Sequence, residues 1–238
     1  MKYDFSGKSI LVTGSNRGIG RELVHELAKR NVKRIYAAAR NIDTLKDLQA
    51  IYADILIPIE LDVIDALSLK NATEQIIELD MLINNASSVN SRSVMTASLE
   101  ELVQDFTLNS VSPLFVSRAF LPQLLKSATP AIANTLSTVA ISNSPGLGGY
   151  SMSKAAEYAM SQSLSSELQA QGVTVYYIFP GLTATELTDD LPGSKATPEE
   201  VAKNALDDIT KGEQYIFPAP NAKAIELKWM TNPKNSAR

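Results

Sequence analysis

An α/β fold is predicted for this 238-residue chain: a doubly wound parallel β-sheet of about seven strands in a single domain. Three observations predict it. Apolar runs without polar alternation recur along the chain, as strands covered on both faces of a parallel sheet require. Longer stretches between them carry apolar residues at helical spacing. The first apolar run ends in a glycine-rich turn that opens directly into such a stretch.

The elements follow in order. Lys8–Thr13 reads as a buried strand, and Arg21–Arg30 as a helix with Leu23, Val24, Leu27 and Ala28 on one face. Further strands are expected at Arg34–Ala38, Ile55–Glu60, Met81–Asn84, Ala131–Ser137, Val173–Phe179 and Gln214–Phe217. Helical patterns cover Asp65–Glu78, Leu99–Lys126, Tyr150–Ala170 and Pro198–Lys211. No repeat, low-complexity stretch or linker divides residues 1–238, so one domain is expected, with a substrate lid at about 182–197 and a tail over 218–238.

Composition removes several function classes. A formal charge of −4 argues against a general nucleic-acid surface. No cysteine is present, which rules out disulfides and thiol chemistry, and a single histidine makes a zinc site improbable; no metal is expected. That histidine, His25, lies among Glu22, Glu26 and Lys29 and reads as solvated. Ser127 to Ser153 contains no charge, but its prolines, glycines, asparagines and hydroxyls suit a strand leading into an active-site loop better than a membrane span. The N-terminus lacks the apolar stretch of a signal peptide, and a cytoplasmic location is expected.

Chemistry concentrates at Tyr150 and Lys154. Four residues apart on a helix, they share one face. The lysine charge favours the phenolate and eases proton transfer by a phenol whose unperturbed pKa is about 10. Ser137 lies thirteen residues upstream, and its hydroxyl could hold a carbonyl or alcohol oxygen during that exchange. A hydride carrier has a place in Gly14-Ser-Asn-Arg-Gly18-Ile-Gly20, where Asn16, Arg17 and Ile19 sit between the glycines. Such a turn lets backbone approach a pyrophosphate, and the helix N-terminus offers it unpaired N–H groups. Where an NAD site would place a carboxylate, the second strand ends Ala37-Ala38-Ala39-Arg40. Arg40, with Arg17 from the turn, could grip a 2′-phosphate; either alone could be a solvated surface arginine, and together they favour NADP(H).

With Thr13, Gly14, Gly18 and Gly20 in Thr-Gly-x-x-x-Gly-x-Gly spacing, the chain resembles the short-chain dehydrogenase/reductase family. Further landmarks occur in order: Asp62-Val63, Asn84-Asn85-Ala86, Asn109, Ser137, Tyr150, Lys154, Pro180-Gly181, Thr183 and Thr185. The resemblance spans about Phe5 to Thr185 and implies a Rossmann fold and NADPH-dependent reduction of a ketone or aldehyde, reversible toward alcohol oxidation. It implies Ser137 as the oxygen holder, Tyr150 as general acid/base, and Lys154 on both the tyrosine and the nicotinamide ribose. Asp62 and Val63 would lie near the adenine, although Asp62 also suits a plain strand end. Asn85 and Ala86 would line the adenosine side, Pro180 and Gly181 would bind the cofactor, and Thr183 and Thr185 would hold the carboxamide. Arg17 and Arg40 match the NADP(H)-preferring members. Ser87 departs from the usual glycine and would narrow or polarise the cofactor floor; Thr138 replaces a frequent serine.

Pro113 has no N–H to return to the Asn109 carbonyl, so a kink is expected there. It could serve packing alone, or leave that carbonyl for a water connecting Lys154 to solvent, as the family's proton relay does. Segments 88–95, 139–149 and 182–194 should surround a substrate, with Gly146, Gly148 and Gly149 leaving room. Leu147, Leu182, Leu187 and Leu191 either line a pocket for a small apolar carbonyl compound or belong to the core. A 3-oxoacyl thioester, a pteridine and a xenobiotic ketone are narrower choices; no basic cluster for a carrier protein stands out. Trp229 would pack the tail onto the domain or meet another subunit. The small-residue helix from Tyr150 suggests a homodimer or homotetramer. The alternative function is an NADP(H)-binding redox sensor with little turnover.

Overall fold

The computed structural model describes residues 2–144 and 146–231. Seven strands are β1 Ser9–Thr13, β2 Arg34–Ala39, β3 Leu56–Glu60, β4 Met81–Asn84, β5 Ala131–Thr135, β6 Thr174–Ile178 and β7 Tyr215–Ile216. All pair in parallel, in the order β3-β2-β1-β4-β5-β6-β7. Strand order reverses between β1 and β4. In open sheets of this kind the crevice beyond the carboxyl ends at the reversal takes ligands.

Helices cover both faces because the strands are apolar on both sides. Leu23, Val24 and Leu27 of α1 (Gly18–Ala28), Leu48 of α2 (Lys46–Ile51) and Ala202, Ala205, Leu206 and Ile209 of α7 (Pro198–Lys211) pack on one face with Ile10, Val12 and Ile83. Leu69 and Ala72 of α3 (Ala66–Gln75), Phe120 and Leu124 of α5 (Ser112–Leu124) and Leu164 and Leu168 of α6 (Gly148–Leu168) cover the other with Leu11, Leu82 and Ile132. Helix α4 (Leu99–Phe106) precedes α5, and α8 (Pro220–Met230) closes the described chain.

Several sequence expectations change in detail. Helix α1 begins at Gly18, inside the glycine turn, so the turn itself forms the helix N-terminus. The run Leu99–Lys126 is not a straight α-helix: a turn of π-helix, Thr107–Val111, joins α4 to α5 just before Pro113. The expected irregularity is there, realised as a widened turn. Helix α2 is too short to show periodicity. Helix α8 makes the tail a packed element, with the Trp229 ring 6.4 Å from that of Tyr215. Lys234 and Arg238 lie outside the described residues. His25 is half-buried, and besides its exposed part its Nδ1 lies 2.8 Å from the Tyr52 hydroxyl, the two rings meeting edge to face.

Glu26 ties α1 to α7. Nearly buried, it pairs with Lys29 and with Arg30, which reaches Asp207. Burial raises its carboxyl, but the two cations outweigh this and hold it below its ordinary 4.5. Stability from this group is therefore present above about pH 4.5 and lost as pH falls through the lowered folded value. Glu26→Gln should cost about 1–2 kcal/mol at neutral pH. In urea melts, the variant should lose less stability than wild type between neutrality and pH ~3. Parallel pH profiles would refute this role.

Candidate active site

The site begins where β1 meets α1. A Cβ added at Gly20 would stand 2.1 Å from the Gly14 carbonyl oxygen and 2.4 Å from Asn85 Nδ2, so only glycine lets the helix start close against the turn. Asn85 Nδ2 donates to the carbonyls of Thr13 (3.0 Å) and Gly14 (3.3 Å). Thr13 Oγ1 accepts from the N–H groups of Asn85 (2.9 Å) and Ala86 (3.0 Å). The ends of β1 and β4 are thus one hydrogen-bonded unit beneath the helix N-terminus.

A cavity of about 1110 Å3 follows the carboxyl ends of the strands in sheet order. Asp62 and Val63 line it after β3, Arg40 after β2, and Gly14, Asn16, Arg17, Gly18 and Ile19 after β1. Asn85, Ala86 and Ser87 follow from β4, Ser137 from β5, and Pro180, Gly181, Thr183 and Thr185 from β6. Tyr150 and Lys154 complete the wall. Gly20 and Asn109 act from behind it. The shape fits a dinucleotide: glycine backbone and a helix N-terminus at the centre, and Arg40 at the end of β2 where no carboxylate opposes a phosphate. Among the described residues, no cluster suited to a metal ion is present.

Ser137 caps the short turn after β5, its Oγ accepting from the Val139 N–H at 3.3 Å. Tyr150 stands in the first turn of α6, half-buried, with its N–H donating to the Ser91 carbonyl at 3.0 Å. One turn later, Lys154 Nζ lies 5.9 Å from the centre of the Tyr150 ring. It donates to the Thr135 carbonyl (2.9 Å) and Glu157 Oε2 (2.6 Å). Lys154 and Glu157 are each 1% exposed. Burial pushes the ammonium down, but Glu157 and Tyr150 more than offset it and leave Lys154 above its ordinary value. Burial pushes the Glu157 carboxyl up to about 7 against the pull of Lys154. Both shifts run the same way: the pair holds its protons more tightly than the separate groups would.

Two buried polar residues set the loop after β4. Asp105, fully buried on α4, accepts from Ser88 Oγ (2.9 Å), the Asn90 N–H (2.9 Å) and Nδ2 (2.9 Å), and the Ser91 N–H (2.8 Å) and Oγ (2.6 Å). Asn109, also fully buried, accepts through Oδ1 from Ser87 Oγ and the Ser88 N–H, both at 3.0 Å, and donates through Nδ2 to the Ser88 carbonyl (2.9 Å) and Ser153 Oγ (3.0 Å). Ser87 therefore turns its hydroxyl to Asn109. The glycines at the start of α6 do not leave room in the cavity. A Cβ at Gly148 would meet Val94 Cγ1 at 2.7 Å and one at Gly149 would meet Ser91 Oγ at 2.3 Å, so their space is filled by the 91–94 segment.

Leu147, Leu182, Leu187 and Leu191 are half-buried and line the cavity. The segment 182–196 is tied at its neck by Ala184 N–H to Ala196 carbonyl (2.8 Å) and Ala196 N–H to Leu182 carbonyl (2.9 Å). Asn221 Nδ2 from α8 donates to Leu182 at 2.8 Å. Two exposed ion pairs fasten its tip: Arg17 with Glu186, and Arg92 with Asp190 at 2.9 Å.

Asp105, Glu157 and Asn221 are absent from the sequence reading. Glu157 carries a local signal, a carboxylate three residues beyond Lys154 on a helix of small residues. Asp105 and Asn221 carry none, since their partners lie 14 to 39 residues away.

The short chain dehydrogenase family model matches residues 8–195. Short chain dehydrogenase pigC of Monascus ruber is 32% identical over 248 residues, covering 98% of this chain and 77% of that protein. A 3-oxoacyl-[acyl-carrier-protein] reductase of Haemophilus influenzae is 32% identical over 189 residues, 78% of each chain. Among solved structures, a short chain dehydrogenase from Burkholderia cenocepacia in complex with NADP superposes with a TM-score of 0.90 at 27% identity, covering 98% and 96% of the two chains. One from Streptomyces avermitilis shares the fold at a TM-score of 0.82 and 24% identity, covering 94% and 93%. With four-fifths of its length inside the family model and its sheet, glycine turn and cavity in this arrangement, the chain belongs to the short-chain dehydrogenase family.

Proposed function

We propose that the protein is an NADPH-dependent reductase of ketones or aldehydes, reversible toward alcohol oxidation. The observation that carries this reading is the convergence of Ser137, Tyr150 and Lys154 on one wall of the cavity that follows the glycine turn. NADPH bound there supplies the hydride. Ser137 Oγ hydrogen-bonds the substrate oxygen, and Tyr150 gives that oxygen a proton as general acid. Lys154 stabilises the negative charge developing on Tyr150 and holds the nicotinamide ribose. Asn109 fixes Ser153 and the 87–88 backbone from behind. Its carbonyl, at the π-turn before Pro113, is the place for a water that returns protons from solvent to Lys154.

Asp62 and Val63 take the adenine side, Asn16, Gly14, Gly18 and Ile19 the pyrophosphate, Asn85 and Ala86 the adenosine cleft, and Pro180, Gly181, Thr183 and Thr185 the nicotinamide end. Arg40 and Arg17 take the 2′-phosphate. Arg17 is paired with Glu186, but both are exposed, and such pairs are worth about 0–1 kcal/mol. A phosphate carrying more charge outbids that partner. The NADP complex of the Burkholderia relative supports the choice.

The substrate is a small apolar carbonyl compound. Leu147, Leu182, Leu187 and Leu191 are among the leucines that line the cavity, and among the described residues its lysine and arginine side chains are Arg17, Arg40 and Lys154, so an anionic substrate finds no further partner there. A redox-sensing role is not favoured, since binding alone needs no serine–tyrosine–lysine wall. No helix among the described residues is long and apolar enough to cross a membrane, and cytoplasmic action is part of the proposal.

Exposed Leu99, Val103 and Phe106 form a stripe on α4 at helical spacing, and Phe115 on α5 and Met152 on α6 are exposed as well. This exposed apolar surface supports a homodimer or homotetramer, with α4 and α5 proposed as contact elements beside the helix of Tyr150. A monomeric mass in solution would contradict it.

With a panel of ketones and aldehydes, Tyr150→Phe should lose at least ~100-fold in turnover and keep its NADPH affinity. Residual turnover near wild type would remove Tyr150 from its role. Arg40→Ala should weaken NADPH binding about tenfold or more and leave NADH unchanged. Equal loss for both cofactors would assign Arg40 no phosphate.

A further inference from the structure

Behind the catalytic wall lies a charged group that the proposed mechanism does not use. Glu157 follows Lys154 by three residues on α6, and its carboxylate meets Nζ at 2.6 Å with both side chains sealed from solvent. A buried charge is costly to keep, and an apolar residue of similar volume would fill the space as well. The surroundings show what the carboxylate does. Lys154 has three N–H donors. Glu157 takes one, the Thr135 carbonyl at the end of β5 takes another at 2.9 Å, and Lys154 also lines the cavity. The other titratable groups acting on the lysine are Tyr150 on the same helix and Asp105 on α4, and the group acting on Glu157 is Lys154 itself. Ser161 Oγ braces the helix by donating to the Glu157 carbonyl at 2.7 Å and accepts from Asn134 Nδ2 at 2.8 Å.

We propose that Glu157 is a positioning residue, anchoring the Lys154 ammonium from behind so that its third N–H is presented to the bound cofactor. This deepens the reductase reading and rests on it. The anchor is also sensitive to pH near neutrality, because burial pushes the Glu157 carboxyl up to about 7. Above that pH, Lys154 is held by a carboxylate; below it, by a neutral acid, a weaker acceptor for a charged donor. The grip on the cofactor therefore weakens as pH falls through this range.

The test is NADPH binding, followed by nicotinamide fluorescence, to intact wild type, Glu157→Gln and Glu157→Asp on both sides of pH ~7, with turnover and melting temperature recorded alongside. The cofactor's own phosphate ionisation is common to all three proteins and cancels in the comparison. Wild-type affinity should fall by about tenfold more than that of Glu157→Gln between pH ~8 and ~6. Glu157→Gln should bind near the wild-type acid value throughout, and Glu157→Asp should recover a pH-dependent step. A Glu157→Gln profile that superposes on wild type, or tighter binding in that variant at high pH, would overturn the proposal. Wild type that binds NADPH yet reduces no carbonyl would count against the reductase reading, and the binding comparison would still decide the role of Glu157.

Discussion

A lysine ammonium taken almost wholly out of water is the constraint around which this site is arranged. An unpaired charge in such a place costs several kcal/mol, so Lys154 requires partners fixed in advance. They come from two elements: the Thr135 carbonyl where β5 ends, and the Glu157 carboxylate on α6. Satisfying the lysine thereby sets the height of α6 above the sheet, and Tyr150 moves with that helix. The buried ladder from Asn84 through Asn134 to Ser161 sets the same spacing deeper in, with bonds of 2.8 Å at each step.

The cavity is buried and densely hydrogen-bonded at one end and exposed at the other. Around Tyr150, charge and hydroxyl are buried and bonded. Asp105 gathers the N–H and O–H groups of Ser88, Asn90 and Ser91 onto one carboxylate, and Ser91 receives the first turn of α6. Catalysis by positioned proton donors benefits from groups that need not reorganise. At the other end, Arg17, Arg40 and the lid ion pairs stand in solvent, where partners exchange at little cost. In the proposed reaction, cofactor choice belongs to that exposed end and proton transfer to the bonded one.

Much of this was legible in the sequence because it depends on short-range patterns. Parallel strands buried on both faces read as apolar runs, and the glycine turn, Tyr150–Lys154 and Asn109–Pro113 are each local. The π-turn follows from a missing N–H four residues after Asn109, a fact of covalent chemistry. What was hidden depends on distant pairing. Asp105 looks like any solvated helix carboxylate until the 88–91 loop folds over it. Gly148 and Gly149 looked like space for substrate, whereas their missing side chains admit Val94 and Ser91. The pairing of Arg17 with Glu186 is hidden in the same way, its partner lying 169 residues away.

The most direct measurement is the fate of the hydride. Wild-type protein would be given NADPH deuterated at nicotinamide C4, on the face from which hydride leaves, with a carbonyl compound that sustains turnover. The alcohol would be analysed for deuterium at the former carbonyl carbon. One deuterium per molecule of NADPH consumed is the predicted result. Cofactor loss without deuterium in the product, or saturable NADPH binding with no alcohol formed from any carbonyl compound tried, would contradict the assignment of this wall as a hydride- and proton-transfer site.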